Sequence, residues 1–175
     1  MTPQEKLARF EQEISPHLGS AYNLARWLMR SQEDAEDAVQ EAFLRAFSAM
    51  GNLRGQDTKP WLLTIVRNTC FTRLKKNRNA AGMVALEEEL EQLSDPSPDP
   101  ERTLIISSDR EQVRKALEEL PPDFREAIVL RELEGLSYKE IASATGIPLG
   151  TVMSRLARGR DWLKRILLSP GKEPA

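Results

Sequence analysis

The sequence predicts an all-α protein: two small helical domains joined by a flexible acidic, Pro-rich linker, the C-terminal one a four-helix domain ending in a helix-turn-helix. Three observations predict it. Apolar residues recur at helical spacing through both halves, and no segment is rich in strand formers. Asp-Pro-Ser-Pro-Asp-Pro at 95–100 closes an acidic stretch and reads as an extended connector. The stretch LSYKEIASATGIPLGTVMSRLARGRDWL, Leu136 to Leu163, carries the start, turn and restart of a helical pair. The expected division is a first domain over residues 1–80, a linker over 81–108, a second domain over 109–168 and a frayed tail over 169–175.

Composition narrows the function classes. The chain has 175 residues, 40% of them hydrophobic, so it can build small cores. No apolar run approaches the ~20 residues that span a bilayer. The first residues, MTPQEKLARFEQE, are charged and lack a signal-peptide core, so a cytoplasmic location is expected. One cysteine, Cys70, and one histidine, His17, exclude an internal disulfide and a usual structural zinc site. Both read as packing or surface residues. The net charge of −2 argues against nucleic acid, but its distribution does not. Arg67, Arg73, Lys75, Lys76 and Arg78 form one basic cluster, and Arg155, Arg158, Arg160, Lys164 and Arg165 a second. An acidic tract from Glu87 to Glu101 separates them. Local field decides what approaches a surface, and two basic patches suit one long polyanion.

The elements follow in order. Phe10 to Ser31 reads as one helix, with Leu18, Tyr22, Leu24, Ala25 and Leu28 available for a core. Asp34 to Phe47, DAEDAVQEAFLRAF, buries Ala35, Ala38, Val39, Ala42, Phe43, Ala46 and Phe47 at helical period. Its opposite face holds Asp37, Gln40, Glu41 and Leu44. Carboxylates, an amide and an exposed leucine suit docking on a basic partner helix. The same pattern also fits a solvated face. Gly51 to Lys59 is a polar loop, after which Asp57 or Thr58 can cap a helix with Pro60 in its first turn. That helix, WLLTIVRNTCFTRLKKN, offers Trp61, Leu62, Ile65, Val66 and Leu74 to a core. A polar loop beside aromatic and basic residues also suits single-stranded DNA, with a charged track for phosphates and a surface for bases. Trp61 reads first as core and second as a base platform. A short helix can form at Val84 to Leu93. Beyond the linker, Asp109 to Leu120 points Val113, Ala116, Leu117 and Leu120 inward. Pro122 to Leu133 does the same with Phe124, Ala127, Ile128 and Leu130, and Gly135 ends it.

The closing motif is the most specific. Ser137 and Glu140 are spaced for a capping box, with Leu136 and Ile141 for a hydrophobic staple. Gly146 fits a left-handed helix end, and Pro148 a first helical turn. In the second helix Val152, Leu156 and Leu163 form the packing stripe. The opposite arc holds Gly150, Ser154, Ala157 and Arg158, flanked by Met153 and Arg155. A small, basic arc can enter a DNA major groove. A helical hairpin with a solvated basic face would share parts of this pattern.

Four motifs now stand in order: DAEDAVQEAFLRAF, LRGQDTKPWLLTIVRN, ALEELPPDFREAIVLRELEGLSYKEIA and GIPLGTVMSRLARGR. With these the chain resembles the extracytoplasmic-function (ECF) group of bacterial RNA polymerase sigma factors over nearly its whole length. The resemblance implies a promoter-specificity factor that is not an enzyme, with no catalytic residue, cofactor or metal. It implies core RNA polymerase as partner, through the clamp helices of the largest subunit and the flap, together with promoter DNA and an anti-sigma factor. It implies no membrane insertion. Residues 1–80 would be the region 2-like domain, and 109–168 the region 4-like domain. Asp37, Gln40, Glu41 and Leu44 match the face that docks on the clamp helices. Asn52, Arg54 and Lys59 of the loop, with Trp61 and Asn68, match the part that captures a flipped −10 base. Arg67, Arg73, Lys75 and Lys76 would follow the neighbouring backbone. Met153, Ser154, Ala157 and Arg158 match positions facing the −35 element, and Lys139, Thr151 and Arg155 suit phosphate contacts or helix support. The loop here, ending QDTKP, is shorter than is usual in the family. Met153 and Ala157 stand where larger or polar residues are common, so −35 readout is expected to rest partly on DNA shape.

Two other classes make different demands. A response-regulator-like factor with the same C-terminal motif needs an α/β receiver domain. An enzyme needs a phosphate loop, a metal cluster or a nucleophile–base pair, and none stands out in the sequence.

Overall fold

The computed structural model describes the backbone of residues 2–55, 57–93 and 108–168, and the side chains of these apart from 78–93, 108 and 109. Helix α1 (Pro3–Glu13) starts from a Thr2–Glu5 capping box. A 3₁₀ turn (Ser15–His17) then leads into α2 (Leu18–Leu28). The expected single helix over Phe10–Ser31 is therefore two. Pro16 lacks an N–H and its ring clashes with a preceding carbonyl, so it splits them. The split moves the buried stripe of α2. Ala21, Leu24, Ala25 and Met29 are buried, while Leu18, at the helix start, is 49% exposed.

Ser31 caps α3 (Gln32–Ala49) by accepting from the Asp34 N–H. Its buried stripe is the expected one, Ala35, Ala38, Val39, Ala42 and Ala46, with Phe43 and Phe47 packed beside it. The alanines bring α3 close to α2 and α4. Phe10 of α1 sits edge-on to Phe43 and Phe47, at centroid distances of 5.7 and 5.5 Å. After a 3₁₀ turn (Met50–Asn52), helix α4 runs over Thr58–Leu93, through the first part of the stretch read as linker. Leu62, Leu63, Val66, Thr69 and Cys70 are its buried stripe, and the Thr69 hydroxyl donates to the Ile65 carbonyl. The Arg78 side chain and residues 94–107 lie outside the described residues.

The second half is α5 (Ser108–Glu119), α6 (Pro122–Ile128), a π-turn (Val129–Leu133), α7 (Tyr138–Thr145) and α8 (Leu149–Leu168). Ala116, Leu117 and Leu120 are buried as expected, but Val113 is 42% exposed. No strand occurs among the described residues, so the receiver-domain alternative finds no support there. Both capping-box bonds of α7 form, Glu140 N–H to Ser137 Oγ at 3.1 Å and Ser137 N–H to Glu140 Oε1 at 2.8 Å. Gly146 ends α7 with φ +72°, where a Cβ would be strained.

Gly159 has another role: a Cβ there would stand 3.0 Å from Ile128 Cγ1 and 3.6 Å from Phe124 Cβ. This glycine lets α8 lie close on α6. Gly159→Leu is expected to lower the stability of the second half by about 1–3 kcal/mol, because overpacking outweighs the ~1 kcal/mol gain in helix propensity. Urea unfolding followed by circular dichroism checks it.

The halves are docked on each other. α2 and α4 meet α6, the π-turn and α7, and the buried side chains form one cluster across the junction. Polar groups join the apolar ones there. Arg67 Nε donates to Glu126 Oε1 at 2.8 Å, and Asn23 Nδ2 donates to Glu134 Oε2 at 2.7 Å. Lys59 Nζ lies 3.5 Å from Glu134 Oε1. Glu126 and Glu134 are only 2% and 6% exposed.

Candidate polymerase and nucleic-acid interfaces

On α3 the residues opposite the buried stripe reach solvent together. Gln40 is exposed, Leu44 is 70% exposed, and the Asp37 side chain is 59% exposed. Glu41 is held between two arginines, with Arg73 Nη1 at 3.0 Å and Arg45 Nη2 at 2.9 Å. The hydrogen bond from Arg73 is the main reason its carboxyl titrates below the ordinary range. Arg73 also lies 3.8 Å from Asp37. The resemblance implies a DNA-backbone role for Arg73; in this structure its guanidinium faces the acidic face of α3.

The loop and α4 divide the remaining −10 candidates. Asn52, Arg54, Asn68, Lys75 and Lys76 are exposed. Leu53 is buried between Asn52 and Arg54, so it anchors the loop and leaves its neighbours outward. Gly55 takes φ +65°, a conformation open to glycine. Trp61 is half-buried against the core, in keeping with the first of its two readings. Arg67 lies over the Phe71 ring at 4.4 Å and also reaches Asn68 Oδ1 at 3.4 Å. Lys59 and Arg67 thus carry carboxylate partners from the second half, which sequence reasoning did not foresee. Burial pushes the Glu126 carboxyl above its ordinary range, against the opposing pull of Arg67. Arg125, also unforeseen, donates to the Leu117, Glu118 and Leu120 carbonyls and to Trp27 O across the junction. Burial also pushes the Cys70 thiol up to about 12. It therefore stays protonated and packs.

The outer arc of α8 matches the expectation. Gly150, Ser154, Ala157 and Arg158 are exposed, and Met153 is 51% exposed. Thr151 and Arg155 are half-buried at its edge, and Arg155 lies 3.8 Å from Asp123. Gly150, Thr151, Ser154, Arg155 and Arg158 line a shallow cleft with Phe124. Lys139 is exposed on α7. Among the described residues no group of three His, Cys, Asp or Glu side chains could hold a metal ion. None of the described helices is long and apolar enough to cross a membrane.

Residues 14–80 match the family model for sigma-70 region 2, and residues 110–163 that for sigma-70 region 4. The chain is 36% identical over 172 residues to the ECF RNA polymerase sigma factor SigE of Mycolicibacterium smegmatis, covering 98% of this chain and 66% of that protein. It is 35% identical over 151 residues to the RNA polymerase sigma-H factor of Pseudomonas aeruginosa, covering 82% of this chain and 78% of that one. Among solved structures it is similar to the sigma factor RpoE of Bartonella quintana in complex with the anti-sigma factor NepR. That likeness has a TM-score of 0.74 and 28% identity, and covers 92% of this chain and 98% of that one. The order of the two matched regions, the helical fold and these relatives agree: the chain belongs to the ECF family of RNA polymerase sigma factors.

Proposed function

We propose that the chain binds core RNA polymerase in the cytoplasm and directs initiation at promoters whose −10 and −35 elements it recognises. The polymerase supplies catalysis and the chain supplies specificity. The division follows the two halves. Residues 1–80 dock on the clamp helices through Asp37, Gln40, Glu41 and Leu44. They capture a −10 base with the loop Asn52–Lys59, Trp61 and Asn68. Residues 109–168 meet the flap and read the −35 element with Met153, Ser154, Ala157 and Arg158, while Lys139, Thr151 and Arg155 hold phosphates. Residues 81–108 span between them.

The observation that carries this reading is the pair of separate exposed faces. One is an acidic-leucine face on α3; the other is a small, basic face on α8. Each suits one partner's charge, and neither is large. Tethering both to the polymerase makes the pair bind far better than either alone. An extruded base held by the loop offsets part of its lost stacking, a few kcal/mol.

The docked arrangement has a consequence for this mechanism. The −10 and −35 elements lie on the order of 80 Å apart along B-form DNA. A compact chain of this size is roughly 40 Å across. The halves must therefore separate to reach both elements. Lys59 and Arg67 then exchange Glu134 and Glu126 for DNA phosphates. The likeness to a sigma factor bound by its anti-sigma factor supports a further partner of that kind, one that covers these faces until a signal releases it.

In-vitro transcription with core polymerase on a genomic DNA pool tests the proposal. New transcripts sharing a pair of upstream elements are expected only when this protein is present. DNA binding without polymerase, and no new transcripts with it, would leave only a helix-turn-helix regulator.

A further inference from the structure

Arg9 is the feature that the docking and DNA-reading faces leave unexplained. It sits near the end of α1, outside the residues matched to sigma-70 region 2. Its guanidinium reaches across to the base of the loop that follows α3. Nη2 donates to the Leu53 carbonyl at 2.6 Å, Nη1 to the Met50 carbonyl at 3.4 Å, and Nε to Glu13 Oε2 at 3.0 Å. Met50 and Leu53 are both buried; Met50 opens the 3₁₀ turn Met50–Asn52 and Leu53 follows it. Asn52, between the clamped carbonyls, and Arg54, just after them, project into solvent.

The helix that carries Arg9 is itself held in place. Phe10 packs on Phe43 and Phe47, and the Lys6 ammonium lies 4.7 Å from the centre of the Phe47 ring. Glu13, one turn on, orients the guanidinium. A charged donor fork on two carbonyls fixes the direction in which the next residues leave. Among the described residues, the base of the loop would otherwise be held by the Leu53 N–H bond to Met50 O, the Met50 N–H bond to Phe47 O and the burial of two side chains.

We propose that Arg9 is a positioning residue for −10 recognition. It sets the pose of Asn52 and Arg54, and so α1 belongs to the base-capturing unit. This rests on the reading of the loop as the −10 reader. Capture of a flipped base needs the loop held to within a fraction of an ångström. Loosening its base should cost discrimination more than binding.

The test uses holoenzyme made from core polymerase and the full chain. Templates are the strongest promoter from the genomic pool and the same promoter with single base changes across its −10 element. The readout is the ratio of initiation rates on the two, which a merely destabilised protein would not move because both rates fall together. Arg9→Met is expected to lower that ratio about tenfold, the size of one or two charge-assisted hydrogen bonds. Arg9→Lys, which keeps a charged donor group but not the planar fork, should lie between, and Glu13→Gln should lower the ratio in the same direction. Core binding should stay at the wild-type level throughout. Asn52→Ala plus Arg54→Ala is the reference for the loop itself. If that pair lowers the ratio while Arg9→Met and Glu13→Gln leave it unchanged, Arg9 only supports the fold and the proposal is overturned. If none of the variants moves the ratio, the loop is not the reader, and both readings fall.

Discussion

Asp37→Arg combined with Glu41→Arg is expected to weaken binding of core RNA polymerase by roughly a hundredfold or more, with the chain still folded. Both positions are on the solvent side of α3, so their substitution leaves the alanine stripe on the other side untouched. The effect has two sources. A partner helix that presents cations loses two attractions and meets two repulsions. Within the chain, Glu41 also neutralises Arg73 and Arg45, and Asp37 lies near Arg73. Reversal therefore gathers four arginines on one face. These charges are partly screened, so the internal penalty should stay within about 1 kcal/mol. Anisotropy titration of labelled protein with core polymerase, beside a thermal melt, separates the two. Wild-type affinity in the double variant would remove α3 as the docking face.

The second large effect concerns the junction of the halves. Arg67→Ala leaves the Glu126 carboxylate, 2% exposed, without the guanidinium that bonds it. Stranding one member of a buried pair costs about 3–5 kcal/mol. The loss cannot exceed the docking free energy itself, because the halves can part and hydrate the carboxylate. Arg67→Ala should therefore show a larger radius of gyration and faster amide exchange in α6. Glu126→Gln should stay docked, since its amide oxygen can still accept from Arg67.

The pH dependence has a definite sign. Burial, and to a lesser degree Asp123, raises the Glu126 carboxyl above its ordinary range in the docked state, while Arg67 and Arg155 oppose the rise. The docked state thus favours the protonated acid. Its contribution to docking is fully present below the ordinary carboxylate range and is lost as pH rises through the raised value. Small-angle scattering across that window should show expansion with rising pH in the wild type and a flat profile in Glu126→Gln. An Arg67→Ala chain that remains as compact as the wild type would show that the pair does not hold the halves together.

Most of the architecture was legible in the sequence because helical periodicity is a local signal. The α3 stripe, the capping box at Ser137 and the left-handed Gly146 all depend on neighbours within one or two turns. Some expectations failed. Pro16 divides a helix whose apolar spacing looked continuous, and Leu18 and Val113 lie at positions where the period points inward but none of the described helices covers them fully. What could not be read was the pairing of distant charges. Glu126 and Glu134 look like ordinary acids of a solvated helix, and only the fold places them beside Arg67, Lys59 and Asn23. The loop-clamping role of Arg9 was silent for the same reason, since the two carbonyls it holds lie more than forty positions away.

The π-turn at Val129–Leu133 bears on that pairing. There the Glu134 N–H reaches back five residues, to Val129 O, at 3.0 Å. Glu126 and Glu134 are eight positions apart. An unbroken α-helix would turn about 800° over that span and leave them roughly 80° out of phase. The extra residue in the wide turn takes back about 100°, so the two carboxylates come to within some 20° of one bearing. The alignment is thus stored as a count of residues. No single side chain in the turn carries it, and substitutions that keep the winding leave it intact. Gaining or losing one residue there would rotate one carboxylate out of the junction without altering any group that makes contact. In this chain the length of a five-residue turn sets whether both carboxylates face the other half.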